Sequence, residues 1–354
     1  MYIVKYVGGN YCLEMEISMS KILSVLYQSD NNYAELTGVS MLSLFENNKH
    51  LDEIHIYLLN DQISEMNLGR IWMVCNQYRR KLTVIDTTTI LNKLKELKVQ
   101  PYKNTYTTYF KLFAIRSLDL PTERILQLDG DTIINRPLDE LLEMDLEDVI
   151  CAATYDCILN AYKTLVDIPL TDLYYNCGVL LINQENWRKF QCEDEIVNHL
   201  LHVRNRYFTV DQDIINVLFR DKIKYLHLKY NFNSGFFVYG IKESFRIYGL
   251  DATIFSAPSL VEEAYQEPYI YHCMGAMTGR PWEAKNIHPQ NDLYDQYRII
   301  SPWKDLPKVT KRYGFMFRMQ RRLYLLLPRR IYSQIHRLML LWYLKKKNEE
   351  AIHS

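Results

Sequence analysis

The sequence predicts an α/β protein built on one mostly parallel central sheet, and three observations carry that expectation. Short apolar runs alternate with longer segments of helical periodicity from residue 21 onward. Runs such as Ile125-Leu126 and Leu128 have the character of strands buried on both faces of a parallel sheet. Polar clusters follow the C-terminal ends of these runs, which is where open α/β sheets bind their ligands.

In chain order, YIVKYV and YCLEMEI alternate in polarity and suggest a short hairpin around Gly8-Gly9-Asn10, an added edge element over 1–20. Residues 21–27 (KILSVLY) read as the first core strand. Gln28-Ser29-Asp30-Asn31-Asn32 then leads into a helix over 33–47. Those polar side chains can meet a ligand or cap the helix, and the two roles are compatible. A strand over 54–59, a helix over 64–80 and a strand over 82–85 continue the rhythm, which requires right-handed crossovers. Residues 90–98 and 107–118 read as amphipathic helices. The second carries Lys111, a residue that is ordinarily solvated but here lies shortly before the next strand.

That next strand, within RILQLDGDTIINRP (124–137), breaks at Asp129-Gly130-Asp131. Two carboxylates at this spacing repel, and each costs several kcal/mol to bury unless it is paired. A hard divalent cation with a preference for oxygen ligands would relieve both, and Gly130 would let the backbone approach a bulky ligand. A solvated surface turn would carry the same residues, and Asp211-Gln212-Asp213 repeats the spacing, so the surroundings must decide. After Pro137 a short helix is expected over LDELLEM, then strands over 149–154, ending at Tyr155-Asp156, and over 174–183 (YYNCGVLLIN). A helical stretch from Trp187 to about Arg206, a helix over 211–219 with Asp211 as its N-cap, and a late strand over 225–233 follow. Residues 269–271 lead into His272-Cys273-Met274-Gly275, then Gly279-Arg280-Pro281-Trp282.

The chain has 354 residues, 48% of them hydrophobic, with only 12 Gly and 11 Pro, a composition expected of a globular rather than a disordered chain. Its 42 basic and 42 acidic groups cancel, but unevenly. Residues 306–348 hold 12 Lys/Arg and no Asp/Glu, which leaves 30 basic and 40 acidic groups in 1–305. A basic tail on an acidic body suggests an anionic partner for the tail. Seven scattered cysteines without a CxxC pair, and a start lacking the pattern of a secretory leader, fit a reducing cytoplasm.

Asp129-Gly130-Asp131, Asn176-Cys177-Gly178, Asp211-Gln212-Asp213 and His272…Gly275…Arg280-Pro281-Trp282, in that order, resemble family 8 of the retaining glycosyltransferases. That family includes bacterial enzymes that build lipopolysaccharide and other surface glycans, and glycogenin. The resemblance covers roughly 21–282. It implies a GT-A fold, one Rossmann-like domain that binds a UDP-sugar with Mn²⁺, or with Mg²⁺ as the alternative. It assigns Asp129, Asp131 and His272 as metal ligands, a set whose imidazole suits Mn²⁺ better than Mg²⁺. On the donor side it implies Asp30, Asn32, Lys111, Asp129, Gly130, Asp131, Asn176, Cys177, Gly275 and Arg280. Arg280 replaces the lysine common in the family and can still pair with phosphate. Around the transferred sugar it implies Asp156, Asp211 and Gln212, with Gln212 beneath the anomeric carbon. Cys177 and Cys273 are expected to pack structurally near the site. The implied partners are a UDP-sugar carrying glucose or galactose and a saccharide or glycolipid acceptor. A nucleotide-sugar-binding protein without transfer activity is the alternative, which the presence of Asp156, Asn176, Asp211 and Gln212 disfavours.

The expected organisation is an extension over 1–20, a catalytic domain over 21–300, and a basic helical tail over 301–354 divided at Pro328. In the tail Ile331, Ile335, Leu338 and Trp342 recur at helical spacing among three basic clusters. That pattern suits a helix lying on an anionic membrane surface, placing the protein peripherally on the inner face of the plasma membrane. The same residues would also serve a helix packed on the body with its basic face solvated. Nucleic acid is not an expected partner, since no recognition motif accompanies the basic residues.

Overall fold

The computed structural model describes residues 2–7, 10–15, 20–203, 207–253, 255, 257–275 and 277–352. In chain order the strands and helices are β1 (Tyr2–Val7), β2 (Asn10–Met15), β3 (Ile22–Asp30), α1 (Ala34–Asn47), β4 (Glu53–Asp61), α2 (Glu65–Gln77), β5 (Lys81–Asp86) and α3 (Thr88–Glu96). Then come α4 (Phe110–Ala114), β6 (Arg124–Leu128), β7 (Thr132–Ile134), α5 (Asp139–Glu143), β8 (Cys151–Tyr155), α6 (Asn160–Leu165) and β9 (Tyr175–Asn183). The second half continues with α7 (Gln184–Lys189), α8 (Cys192–His202), α9 (Asp211–Phe219), β10 (Ile223–Tyr225), β11 (Phe232–Asn233), α10 (Gly235–Tyr239) and α11 (Ile241–Tyr248). It closes with α12 (Pro258–Gln266), β12 (Ile270–His272), α13 (Asn291–Arg298), α14 (Phe315–Leu326) and α15 (Arg329–Ile352).

The central sheet has seven strands in the order β10-β8-β9-β6-β3-β4-β5. Every pairing is parallel except those of β9, which runs antiparallel to β6 and β8. The central strands read as continuous apolar runs because helices cover both faces. One layer buries Leu42, Phe45, Ile71 and Val74 of α1 and α2 against the sheet; the other buries Phe110, Trp187, Ile196 and Ile215 from α4 and α7–α9. β1 and β2 pair antiparallel as a separate two-stranded sheet, with the residues that join them outside the described set.

A second, three-stranded sheet, β11-β12-β7, sets up the site. β7 pairs antiparallel with β12, so Thr132 lies opposite His272. The chain leaves β6, turns at Asp129-Gly130-Asp131, and at once pairs with a strand from 140 residues later in the sequence.

Several elements differ from the sequence expectation. The strand expected over 225–233 is split: Ile223–Tyr225 extends the main sheet, a 3-10 turn follows over Leu228–Tyr230, and Phe232–Asn233 joins the small sheet. The helix over 107–118 is α only at Phe110–Ala114, with 3-10 turns on either side. The stretch from Trp187 is broken at Gln191, whose φ of 51° no helix interior adopts. The expected boundary near Ser301-Pro302 falls within packed structure. Trp303 is buried in the main core, and its indole N–H donates to Asn67 Oδ1 at 3.1 Å.

Candidate active site

Asp129 lies at the C-terminal end of β6, and its backbone N–H donates to Gly178 O at 2.8 Å on neighbouring β9. Asp131 follows the turn, and its carbonyl accepts from Cys273 N–H at 2.9 Å. These backbone bonds, together with the β7–β12 register, bring His272 to the carboxylate pair: Nε2 is 3.3 Å from Asp131 Oδ1. One ligand atom from each of Asp129, Asp131 and His272 lies within 4.8 Å of the other two. Two carboxylate oxygens and one imidazole nitrogen at that spacing form a donor set that fits a divalent cation.

The imidazole's tautomer is fixed by a chain of amides. Gly178 N–H donates to Asn176 Oδ1 at 2.9 Å, so that atom is the oxygen. Asn231 Nδ2 donates to the same oxygen at 2.8 Å, which turns Asn231 Oδ1 toward His272 Nδ1, 2.9 Å away. Nδ1 must then carry hydrogen, and in the neutral ring Nε2 is left as the lone-pair atom facing the carboxylates. Gly178 makes room for the ring: a Cβ there would lie 2.2 Å from His272 Cε1. Burial favours the protonated acid at Asp131, but the charges of His272 and Arg280 outweigh it and hold the carboxyl below its ordinary range. Burial likewise opposes charge on His272, and the neighbouring carboxylates outweigh it and raise its pKa.

A cavity of about 400 Å³ opens beside these groups. Asp30 and Asn32, from the loop after β3, line it together with Asp129, Gly130, Asp131, His272 and Arg280. Asp30 Oδ1 also accepts from Tyr33 N–H at 2.9 Å, which closes the turn ahead of α1; the N-cap of that helix is Tyr33, and no side chain caps it. The Arg280 guanidinium lies 3.8 Å from Asp131 Oδ2, donates to Tyr33 OH at 3.1 Å, and approaches the space a Cβ on Gly275 would fill.

The remaining expected residues form a buried network behind this cavity. Lys111 is fully buried and lines no part of the cavity; its Nζ is 2.8 Å from Asp211 Oδ2 and 3.8 Å from Asp129 Oδ1, and donates to Cys177 O at 2.8 Å. Burial opposes its charge, but the two aspartates prevail and raise its pKa. Burial pushes Asp211 the other way, up to about 6, despite the lysine. Gln212 bridges the network: Oε1 accepts from Cys177 N–H at 3.0 Å, and Nε2 donates to Asp156 Oδ2 at 2.9 Å. Burial raises the pKa of Asp156, which walls a second cavity of about 180 Å³ with Tyr155, Tyr174 and Phe255.

Asp211 is not the N-cap of its helix. Val210 occupies that position at φ 36°, a conformation that strains a β-branched residue. The brace is Asp213, whose carboxylate accepts from Thr209 N–H at 2.8 Å, Tyr174 OH at 2.6 Å and Tyr162 OH at 2.7 Å. Asp213, Asn231 and Tyr33 therefore support the site without having been identified from sequence. The repeated Asp-x-Asp spacing was the only signal for the first. Cys177 and Cys273 are buried, and burial raises both thiol pKa values, in keeping with structural packing.

The sequence profile of glycosyl transferase family 8 matches residues 24–284. A lipopolysaccharide 1,2-glucosyltransferase of Escherichia coli is 28% identical over 294 residues, covering 82% of this chain and 81% of that one. A lipopolysaccharide 1,3-galactosyltransferase of Salmonella typhimurium is 26% identical over 291 residues, 79% of each chain. Among solved structures, galactosyltransferase LgtC in complex with donor and acceptor sugar analogs superposes with a TM-score of 0.60 at 19% identity, covering 84% of this chain and 99% of that one. The bifunctional glycosyltransferase WbbM gives 0.64 at 19% identity over 83% of this chain, which spans about half (53%) of WbbM.

Proposed function

The chain belongs to glycosyl transferase family 8, and from that premise we propose that it transfers glucose or galactose from a UDP-sugar to a saccharide or glycolipid acceptor of a surface glycan. The reaction retains the anomeric configuration. The observation that carries this reading is the meeting of Asp129, Asp131 and His272 at the wall of a cavity that also holds Asp30 and Arg280.

Asp129, Asp131 and His272 would hold Mn²⁺, with Mg²⁺ as the alternative, and the ion would neutralise diphosphate charge as the sugar–phosphate bond breaks. Arg280 adds a fixed cation beside Asp131 for the same phosphates, and Asp30 and Asn32 offer hydrogen bonds to the base. Asp156, Asn176, Asp211 and Gln212 are the polar groups for sugar hydroxyls, with Gln212 under the reacting carbon. Lys111 gives Asp129 and Asp211 one buried cation in common, which offsets part of what burial costs the Asp211 carboxylate.

The basic tail would hold the enzyme on the cytoplasmic face of a membrane. No helix among the described residues is long and apolar enough to cross one. Tyr332, Ser333 and His336 of α15 pack inward on the body, while Ile331, Leu338 and Trp342 are 46%, 66% and 61% exposed. Packing on the body and contact with lipid are thus assigned to opposite sides of one helix.

The test is UDP release from UDP-glucose and UDP-galactose with Mn²⁺, with and without a saccharide acceptor. Metal-dependent release that increases with acceptor is expected. Donor binding with no release under any condition would leave a binding protein instead.

A further inference from the structure

Beyond these, a further cavity of about 500 Å³ lies between the loop at 283–285 and the start of α14. Five cations line it: Lys285, Lys311, Arg312, Arg318 and Arg321. Among the described residues none of the five lies in an ion pair with a carboxylate. The hydrogen bonds of Arg321 go to the Lys285 carbonyl at 3.3 Å. The one acid in the lining, Glu283, is buried and already engaged, accepting from Arg280 N–H at 3.2 Å and from Tyr313 OH. Five cations without a carboxylate partner around one concavity repel one another, and an anion with several acceptor oxygens would satisfy them together.

Beside the cavity, Phe315, Met316 and Met319 of α14 are 74%, 51% and 36% exposed. Apolar side chains that reach outward next to a basic hollow match a layer in which phosphate lies just above hydrocarbon. A free anion in water would account for the charges and leave these three side chains unexplained. We propose that this cavity binds the phosphate of an anionic membrane lipid, with Phe315, Met316 and Met319 entering the acyl boundary beside it. The proposal rests on the tail's membrane role and makes it specific, since one site near Arg280, rather than diffuse charge, would take the headgroup. Glu283, which lines this cavity and accepts from the Arg280 backbone N–H, would link the lipid site to the donor cavity.

The test is sedimentation of the full chain with vesicles of phosphatidylcholine and phosphatidylglycerol, with pure phosphatidylcholine as reference. Arg318→Gln with Arg321→Gln is compared with Lys345→Gln, Lys346→Gln and Lys347→Gln, which removes more charge far from the cavity. Each Lys or Arg near an anionic surface contributes about fivefold in affinity through charge alone. The cavity variant should nonetheless weaken binding about tenfold more than the distal variant, with its melting temperature retained. A loss no greater than that of the distal variant would overturn the cavity and leave the tail's role standing. Failure of the unaltered chain to bind anionic vesicles would remove both. Inorganic phosphate that raises the melting temperature through Arg318 and Arg321, with vesicle binding unchanged in the variant, would assign the cavity to a free anion and overturn the lipid.

Discussion

Lys111 Nζ lies 2.8 Å from Asp211 Oδ2 in a pocket that buries both side chains, with Asp129 3.8 Å away on its other side. One cation thus joins the expected metal site to the expected sugar site. Replacing it by methionine leaves a buried carboxylate unpaired, which should cost about 3–5 kcal/mol. Because protonation of Asp211 removes that penalty, the loss measured by urea unfolding should shrink as pH is lowered. Adding Asp211→Asn to Lys111→Met should recover a large part of it. Equal destabilisation in the single and double variants would show that the pair is not coupled.

Asn231 is expected to act on the metal through His272. Asn231→Leu removes the acceptor for Nδ1–H, so the ring loses its fixed tautomer while the carboxylates stay in place. Outer partners of this kind change metal affinity by about 10–100-fold. The Mn²⁺ concentration for half-maximal UDP release should rise by that order in a chain that still folds, with about 1–3 kcal/mol of stability lost because a buried N–H is left unpaired. An unchanged metal requirement would remove Asn231 from the site.

Gly178→Ala tests the space beside the same ring. The added Cβ meets His272 Cε1 at 2.2 Å, so the imidazole must move. Overpacking of this kind costs about 1–3 kcal/mol. Activity should fall further than stability alone explains, because the displaced ring is a metal ligand. Normal turnover in a folded Gly178→Ala chain would contradict the geometry.

His336, on the inward side of α15, packs against Tyr239 and Tyr332, with ring centroids 5.4 Å from each. Burial pulls its pKa down to about 4, whereas an unfolded histidine titrates near 6.5. A depressed histidine stabilises the folded state above the unfolded pKa, and that contribution is lost as pH falls toward the folded value. The window is therefore about pH 6.5 to 4, and the full loss is about 3 kcal/mol. The protection of α15 amides, taken from hydrogen exchange corrected for the intrinsic rate at each pH, should fall across that window and lose part of its pH dependence in His336→Phe. Corrected protection independent of pH in the unaltered chain would contradict this.

What was legible in the sequence followed from local pattern. Ile22–Asp30, Glu53–Asp61 and Lys81–Asp86 are parallel neighbours because continuous apolar runs alternating with helices admit few other arrangements. The carboxylate pair stood out by spacing. What was not legible depended on long-range contacts. Asn231 lies in a segment whose apolar residues read as one strand, yet the backbone turns there to serve two sheets. Asp213 and Asp211 look equivalent, but Lys111, 100 residues earlier, takes one and two tyrosines take the other. Trp303 appeared to begin a tail, whereas the main core encloses it.

The central claim is that Asp129, Asp131 and His272 together grip a divalent cation used with the nucleotide. Titration of Mn²⁺ into the full chain with UDP, following free Mn²⁺ by electron paramagnetic resonance, tests it most directly. A single tight site is expected in the unaltered chain, lost in both Asp131→Asn and His272→Ala while the fold persists. Binding of equal affinity in either folded variant would contradict it.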